Sequence, residues 1–172
     1  QLPTGVTPTH IFAQGGVGGL AAAICGHFWE TLGDKRPRFI IVEPVEADCL
    51  YQSALKGTPT EATGNLETIM AGLSCGEPSL IAWDILETGA DDFVTMPDDR
   101  VAPTMRLLAD GDTPIAAGES AVAGLAAGED ADLKQAFGLT SDSQILIFGT
   151  EGASDPEIYQ GIVGRTAEQV RG

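Results

Sequence analysis

Gly15-Gly16-Val17-Gly18-Gly19 carries the sharpest chemical signal in the chain. It lies between a short apolar run and the small-residue segment Leu20-Ala21-Ala22-Ala23. Glycine admits positive φ and lets main-chain N–H groups converge on one point. A helix starting at Leu20 adds the positive end of its dipole there. The chemistry is anion binding, with a phosphate as the natural guest. No Gly-Lys-Ser/Thr follows, so the spacing is not that of a nucleotide P-loop. Gly16, Gly18 and Ala21 meet the alanine-ended dinucleotide fingerprint, with Glu43 as the acidic ribose partner about 20 residues on. A tight strand-to-helix turn chosen for packing is the alternative reading of the same residues.

Other polar groups follow apolar runs: Glu43-Pro44, Glu119-Ser120 and Thr150-Glu151-Gly152. Each alone reads as a helix cap. At the C-terminal ends of parallel strands they would border one crevice, where open α/β sheets bind ligands. His10 and His27 read as packing or surface residues. Met70, Met96 and Met105 read as core filler. Glu61, Glu67, Asp91, Asp92 and the run Glu129-Asp130-Asp132 read as solvated faces.

Alternating elements must position these groups. Strands are expected at His10–Ala13, Phe39–Val42, Phe93–Met96, Ile115–Ala117 and Ile145–Phe148. Phe39–Val42 is a continuous β-branched and aromatic run, as a strand buried on both faces requires. Helices are expected at Leu20–Leu32 with Gly33 as stop, and at Ala47–Leu55 closed by Gly57. Others are expected at Ile69–Leu73, from a Ser79 cap to about Leu86, at Asp98–Ala109 and at Ser120–Ala127. Pro103 fits the Asp98–Ala109 helix only in its first turn. Ser154-Asp155-Pro156 opens the last helix, with proline at the first helical position. Gly57–Leu66 reads as loop. This alternation predicts one α/β domain over residues 1–172, a mostly parallel open sheet of about four or five strands with helices on both faces.

Composition narrows the partners. The 172 residues are 43% apolar and 20% charged, which fits a globular chain. Nine cations against 25 acids leave a net charge of −16, which repels phosphate backbones and excludes nucleic acid. No long unbroken apolar stretch reads as a membrane span, and no basic segment leading into an apolar run reads as a signal peptide. Three cysteines in a chain of this length fit reduced thiols and a cytoplasmic location rather than a disulfide scaffold. Cys49 and Cys75 are open to two readings, a pair of free thiols or a bridge at the mouth of the crevice.

Five segments in order resemble a known family: PTHIFAQGGVGGLAAA, IIVEPVEADCLYQSALKG, TIMAGLSCGEPSLIAWDIL, AAGESAVAGLAA and LIFGTEGASDPEIY. They are similar to the C-terminal part of fold-type II pyridoxal-phosphate (PLP) enzymes, the tryptophan synthase β group. Within it they look most like the diaminopropionate ammonia-lyases. The resemblance implies PLP as cofactor and an amino-acid substrate. The implied reaction eliminates ammonia from 2,3-diaminopropionate, and hydrolysis then yields pyruvate and a second ammonia. It implies that Gly15, Gly16, Val17, Gly18 and Gly19 hold the cofactor phosphate. Thr150 would contact the pyridine nitrogen, and Glu119 would lie near the ring. It further implies a homodimer for the full-length enzyme. A Thr/Ser dehydratase or a threonine synthase-like enzyme is the alternative within the group, and a non-enzymatic nucleotide-binding module the alternative outside it.

The chain departs from the family in two places. The family's Schiff-base lysine and its acid/base residues lie upstream of the glycine loop. Only Lys35, Lys56 and Lys134 are present, and all read as solvated. The expectation is therefore a fragment, inactive by itself. A racemase and dehydratase branch binds a divalent cation through positions matching Glu43, Ala47 and Cys49. Cysteine there, with Asp48 one residue early, removes a hard oxygen ligand, so no bound metal is expected.

Overall fold

The computed structural model describes residues 5–172. Strands β1 (His10–Gln14), β2 (Arg38–Pro44), β3 (Asp92–Met96) and β4 (Ile145–Ile147) form one sheet in the order β3-β2-β1-β4. All three pairings are parallel, with Ile11 opposite Phe39, Ile41 opposite Phe93 and His10 opposite Ile145. The helices are α1 (Gly19–Leu32), α2 (Cys49–Lys56), α3 (Leu80–Gly89), α4 (Val101–Asp110), α5 (Ala123–Glu129), α6 (Ala131–Phe137), α7 (Pro156–Val163) and α8 (Ala167–Arg171).

The strand pleat divides the core in two. Ile11, Ala13, Phe39 and Ile41 pack with Ala21 and Cys25 of α1, Leu50 of α2 and Trp83 and Leu86 of α3. Phe12, Ile40 and Val42 point the other way, onto Met105 of α4, Ala126 of α5, Phe137 of α6, Tyr159 of α7 and Val170 of α8. Helices on both faces explain why β1 and β2 read as unbroken apolar runs. Met70, Met96 and Met105 are core, as expected.

Most local signals act where the residue types place them. The Ser79 hydroxyl accepts from the Ala82 N–H at the start of α3. Asp155 accepts from the Glu157 and Ile158 N–H groups, with Pro156 behind it. Pro103 falls in the first turn of α4. His10 is buried, its ring nitrogens against Thr9 Oγ1 at 2.8 Å and the Phe137 carbonyl at 3.1 Å.

Several expectations need correction. Ile115–Ala117 is not a strand: the Ile115 N–H donates to the Leu108 carbonyl at the end of α4, and Ala117 packs in the core. The helix expected from Ser120 begins at Ala123, and the Ser120 N–H donates instead to Glu151 Oε2 across the sheet end. Ile69–Leu73 is a 3-10 turn at Ala71–Leu73. Asp91 is exposed, as expected, and pairs with Arg36, whereas Asp92 is partly buried in a pair with Arg38, at 2.6 Å each. Asp130 caps α6 and pairs with Arg100 at 2.9 Å. No helix among the described residues is long and apolar enough to cross a membrane.

Candidate active site

The chain runs from β1 outward through β2 and β3, then returns to place β4 on the other side of β1. Loops leaving β1 and β4 therefore diverge at their C-terminal ends, the switch point where open α/β sheets hold ligands. A cleft of about 300 Å³ occupies this place. Gln14, Gly16, Val17 and Gly19 form one wall, Gly72 and Cys75 another, and Ser120, Thr150 and Glu151 the third.

Accounting for main-chain N–H groups separates the loop residues by role. The Gly15 N–H donates to the Val42 carbonyl at 2.9 Å, and the Gly18 N–H to the Gly15 carbonyl at 3.1 Å. These two shape the loop. The N–H groups of Gly16, Val17 and Gly19 have no backbone acceptor among the described residues. Gly19 opens α1, so the free donors coincide with the positive end of a 14-residue helix. Gly18 holds φ at +94°, and a Cβ there would stand 3.0 Å from Ala82 Cβ.

Glu43 lies behind this loop rather than at the crevice. It is wholly buried and accepts from the Leu50 and Tyr51 N–H groups at 3.1 and 2.8 Å. Burial pushes its carboxyl up to about 7, against the pull of those two donors. It therefore cannot meet a ribose in the cleft, and the nucleotide-binding reading loses its acidic partner. Asp48 is likewise engaged, with the Thr63 N–H at 2.8 Å and Gln52 Nε2 at 2.7 Å. Neither carboxylate is offered to a cation by this arrangement.

The three cysteines are free thiols. Cys49 and Cys75 flank Gly16: the Cys49 thiol donates to the Gly16 carbonyl at 3.5 Å, while Cys75 Sγ lies 3.6 Å from where a Cβ on Gly16 would stand. Burial raises the Cys49 thiol to about 12, reinforced by the Glu43 charge. Burial also raises Cys75, and a contact from the Val17 N–H pulls it partly back.

On the third wall, Glu151 Oε2 accepts from the Ser120 N–H at 2.7 Å, and Ser120 Oγ accepts from the Gly72 N–H at 3.0 Å. Thr150 lines the cleft, as its place after β4 suggests. Glu119 is 7% exposed and does not line it. Its Oε1 has no hydrogen-bond partner among the described residues. Burial raises its carboxyl, its own N–H pulls back, and the charges of Glu151 and Asp155 push up again. Gln14 was not expected at the site, although it is the polar side chain next to the loop at the end of a mostly apolar strand. No lysine lines the cleft. Lys35 and Lys56 are exposed, and Lys134 pairs with Glu129 at 3.1 Å.

A strand-end glycine loop at a switch point, without a lysine, presents backbone N–H donors that have no backbone acceptor among the described residues. Residues 1–151 match the family described as Pyridoxal-phosphate dependent enzyme. The chain belongs to this family. It is 39% identical over 175 residues to the diaminopropionate ammonia-lyase of Salmonella typhimurium, covering 93% of this chain and 43% of that protein. It is 37% identical to the diaminopropionate ammonia-lyase of Escherichia coli strain K12, covering 92% of this chain and 42% of that protein. The crystal structure of the Escherichia coli enzyme in complex with an aminoacrylate-PLP azomethine reaction intermediate superposes with a TM-score of 0.83 at 36% identity, covering 92% of this chain and 43% of that one. The chain thus spans about two-fifths of the length of these relatives.

Proposed function

We propose that this chain is the PLP-phosphate-binding portion of a diaminopropionate ammonia-lyase, lacking the upstream part that carries the reacting lysine. The observation that carries this reading is the set of N–H groups at Gly16, Val17 and Gly19 that have no backbone acceptor among the described residues, set at the start of α1. A dianionic phosphate needs converging donors, and a backbone cradle on a helix N-terminus supplies them without a cation. The relatives that carry the enzyme's name match over nearly all of this chain, which supports 2,3-diaminopropionate as the substrate of the full-length protein.

The residues present fit the cofactor. Gly16, Val17 and Gly19 would hold the phosphate, while Gly15 and Gly18 shape the loop around it. The Thr150 hydroxyl, which lines the cleft, would meet the ring nitrogen as a neutral partner. Ser120 and Glu151 brace the opposite wall. Glu119, buried next to Ser120 of that wall, would lie near the ring. When bound, the cofactor supplies the electron sink for breaking the Cα–H and Cβ–N bonds of the substrate. No residue of the cleft offers a nucleophilic amine, so this chain alone binds and does not turn over.

An apolar groove of about 740 Å³ between α1 and the edge strand β4, lined by Ala23, Ile24, Phe28 and Phe148, supports a place for further chain. Leu80 and Ile81 on α3 are 66% and 77% exposed, which supports contact with more protein in a homodimeric full-length enzyme. Three free thiols support a cytoplasmic setting.

Equilibrium dialysis of the chain against PLP, with inorganic phosphate as competitor, tests the reading. The expected result is saturable binding that phosphate displaces, with no pyruvate formed from 2,3-diaminopropionate. Pyruvate production with borohydride trapping at Lys35, Lys56 or Lys134 would overturn the fragment reading.

A further inference from the structure

Resting on the cofactor reading of the cleft, we infer that Glu151 is a specificity-determining residue: its carboxylate receives the β-ammonium group of the substrate and so favours a diamino acid over a hydroxy amino acid. Glu151 is the only charged side chain among the residues that line the cleft. Its Oε2 accepts from the Ser120 N–H at 2.7 Å, which fixes the carboxylate against a second residue of the same wall. The side chain is half-buried, and its Oε1 has no partner among the described residues. Unlike the Oε1 atoms of Gln14 and Glu119, this oxygen is not sealed from solvent. No ion pair among the described residues reaches it. Arg171 lies against the neighbouring Gly152, its Nη2 3.5 Å from where a Cβ there would stand, without pairing to Glu151.

Charge selects the guest. A carboxylate with one oxygen held by a main-chain N–H and the other open accepts a cationic N–H more strongly than a neutral hydroxyl. The Gly16, Val17 and Gly19 N–H groups on the facing wall suit an anion instead. The cleft thus fits a guest with an anionic phosphate at one side and a free ammonium at the other. 2,3-Diaminopropionate and serine differ in the group on Cβ, an amine in one and a hydroxyl in the other. Held as an ammonium, the β-nitrogen departs as ammonia and takes the electron pair of the Cβ–N bond.

Two stable conjugates test this, made by reductive coupling of PLP to the α-nitrogen of 2,3-diaminopropionate and of serine. They share phosphate, ring and carboxylate, and differ in β-ammonium against β-hydroxyl. Equilibrium dialysis of the 172-residue chain should find the diamino conjugate bound about tenfold more tightly, the effect of one charge-assisted hydrogen bond. Added salt should shrink that preference. In Glu151→Gln, which keeps an acceptor for the Ser120 N–H, the preference should vanish. A purely structural Glu151 weakens both conjugates alike and leaves their ratio standing, so a preserved preference in the variant overturns the inference. Equal affinity for the two conjugates in the unaltered chain overturns it as well, even where PLP itself binds. Failure of the cofactor reading looks different: inorganic phosphate then displaces neither conjugate, while a preference that depends on Glu151 leaves this contact standing. No binding of either conjugate overturns both.

Discussion

The Cγ of Glu43 stands 2.5 Å from the point a Cβ on Gly15 would occupy. The first residue of the anion loop is thus glycine because a buried carboxylate fills the space behind it. That carboxylate also holds the Leu50 and Tyr51 N–H groups at the start of α2. Loop, strand β2 and helix α2 are tied at one point. Gly15→Ala is expected to push Glu43 off both donors and to cost about 2–3 kcal/mol, as overpacking in a filled core does. Urea unfolding measures it, and a midpoint within error of the unaltered chain would refute the packing account.

Glu43 also makes a stability prediction with a definite sign. Its carboxyl is raised to about 7 in the fold, from an ordinary value of 4.5. The folded state therefore holds the proton more tightly than the unfolded chain. The stabilisation is fully present below about pH 4.5 and is lost as pH rises to about 7, an effect on the order of 3 kcal/mol. Glu43→Gln removes this titration. Urea unfolding of both proteins across that range should show the unaltered chain falling relative to the variant. Parallel profiles would sink the prediction.

Cys75 lines the cleft and is half-buried, while Cys25 and Cys49 are buried. Iodoacetamide should alkylate Cys75 first in the folded chain, and PLP should slow that reaction. Access decides the order, because burial raises all three thiols. Mass spectrometry of the labelled peptides reads the order and the protection. Thiol counting on unfolded, unreduced protein should find three free thiols, and one free thiol would reveal a bridge. Equal labelling rates with and without PLP would place the ligand elsewhere.

Asp155 accepts from the Glu157 and Ile158 N–H groups at 3.0 Å each. Asp155→Ala should cost about 1 kcal/mol through loss of this cap. Helix α7 carries the buried Tyr159, so the loss is read in global unfolding rather than as fraying alone. An unchanged urea midpoint would show that the cap contributes nothing.

Much of the fold was legible because its signals are local. The Phe39–Val42 run lies within a strand buried on both faces, and Gly33, Gly57, Ser79 and Pro156 act at the helix ends they mark. Helices α6 and α8 escaped notice because each is short, at seven and five residues, and shows little apolar periodicity. Ile115–Ala117 misled because a three-residue apolar run looks the same beside a helix end as inside a sheet. At the site, the glycine loop and Thr150 were legible from residue type and position. Gln14 was not, since one glutamine at a strand end has no pattern of its own.

By itself, the amino-acid sequence determined a parallel α/β chain with a glycine-rich cradle between β1 and α1, because strand burial, glycine turns and helix starts are written in neighbouring residues. Only the tertiary structure decided what faces that cradle. Strand order set β4 beside β1 and so brought Thr150 and Glu151 across from Gly16. Packing turned Glu43 inward onto α2 and away from the cleft. The Gln14 amide found its carbonyls 107 and 134 residues away, which left one oxygen unmet. The physical reason is that periodicity specifies which face of an element is buried, while partners between elements depend on the order in which the strands pair.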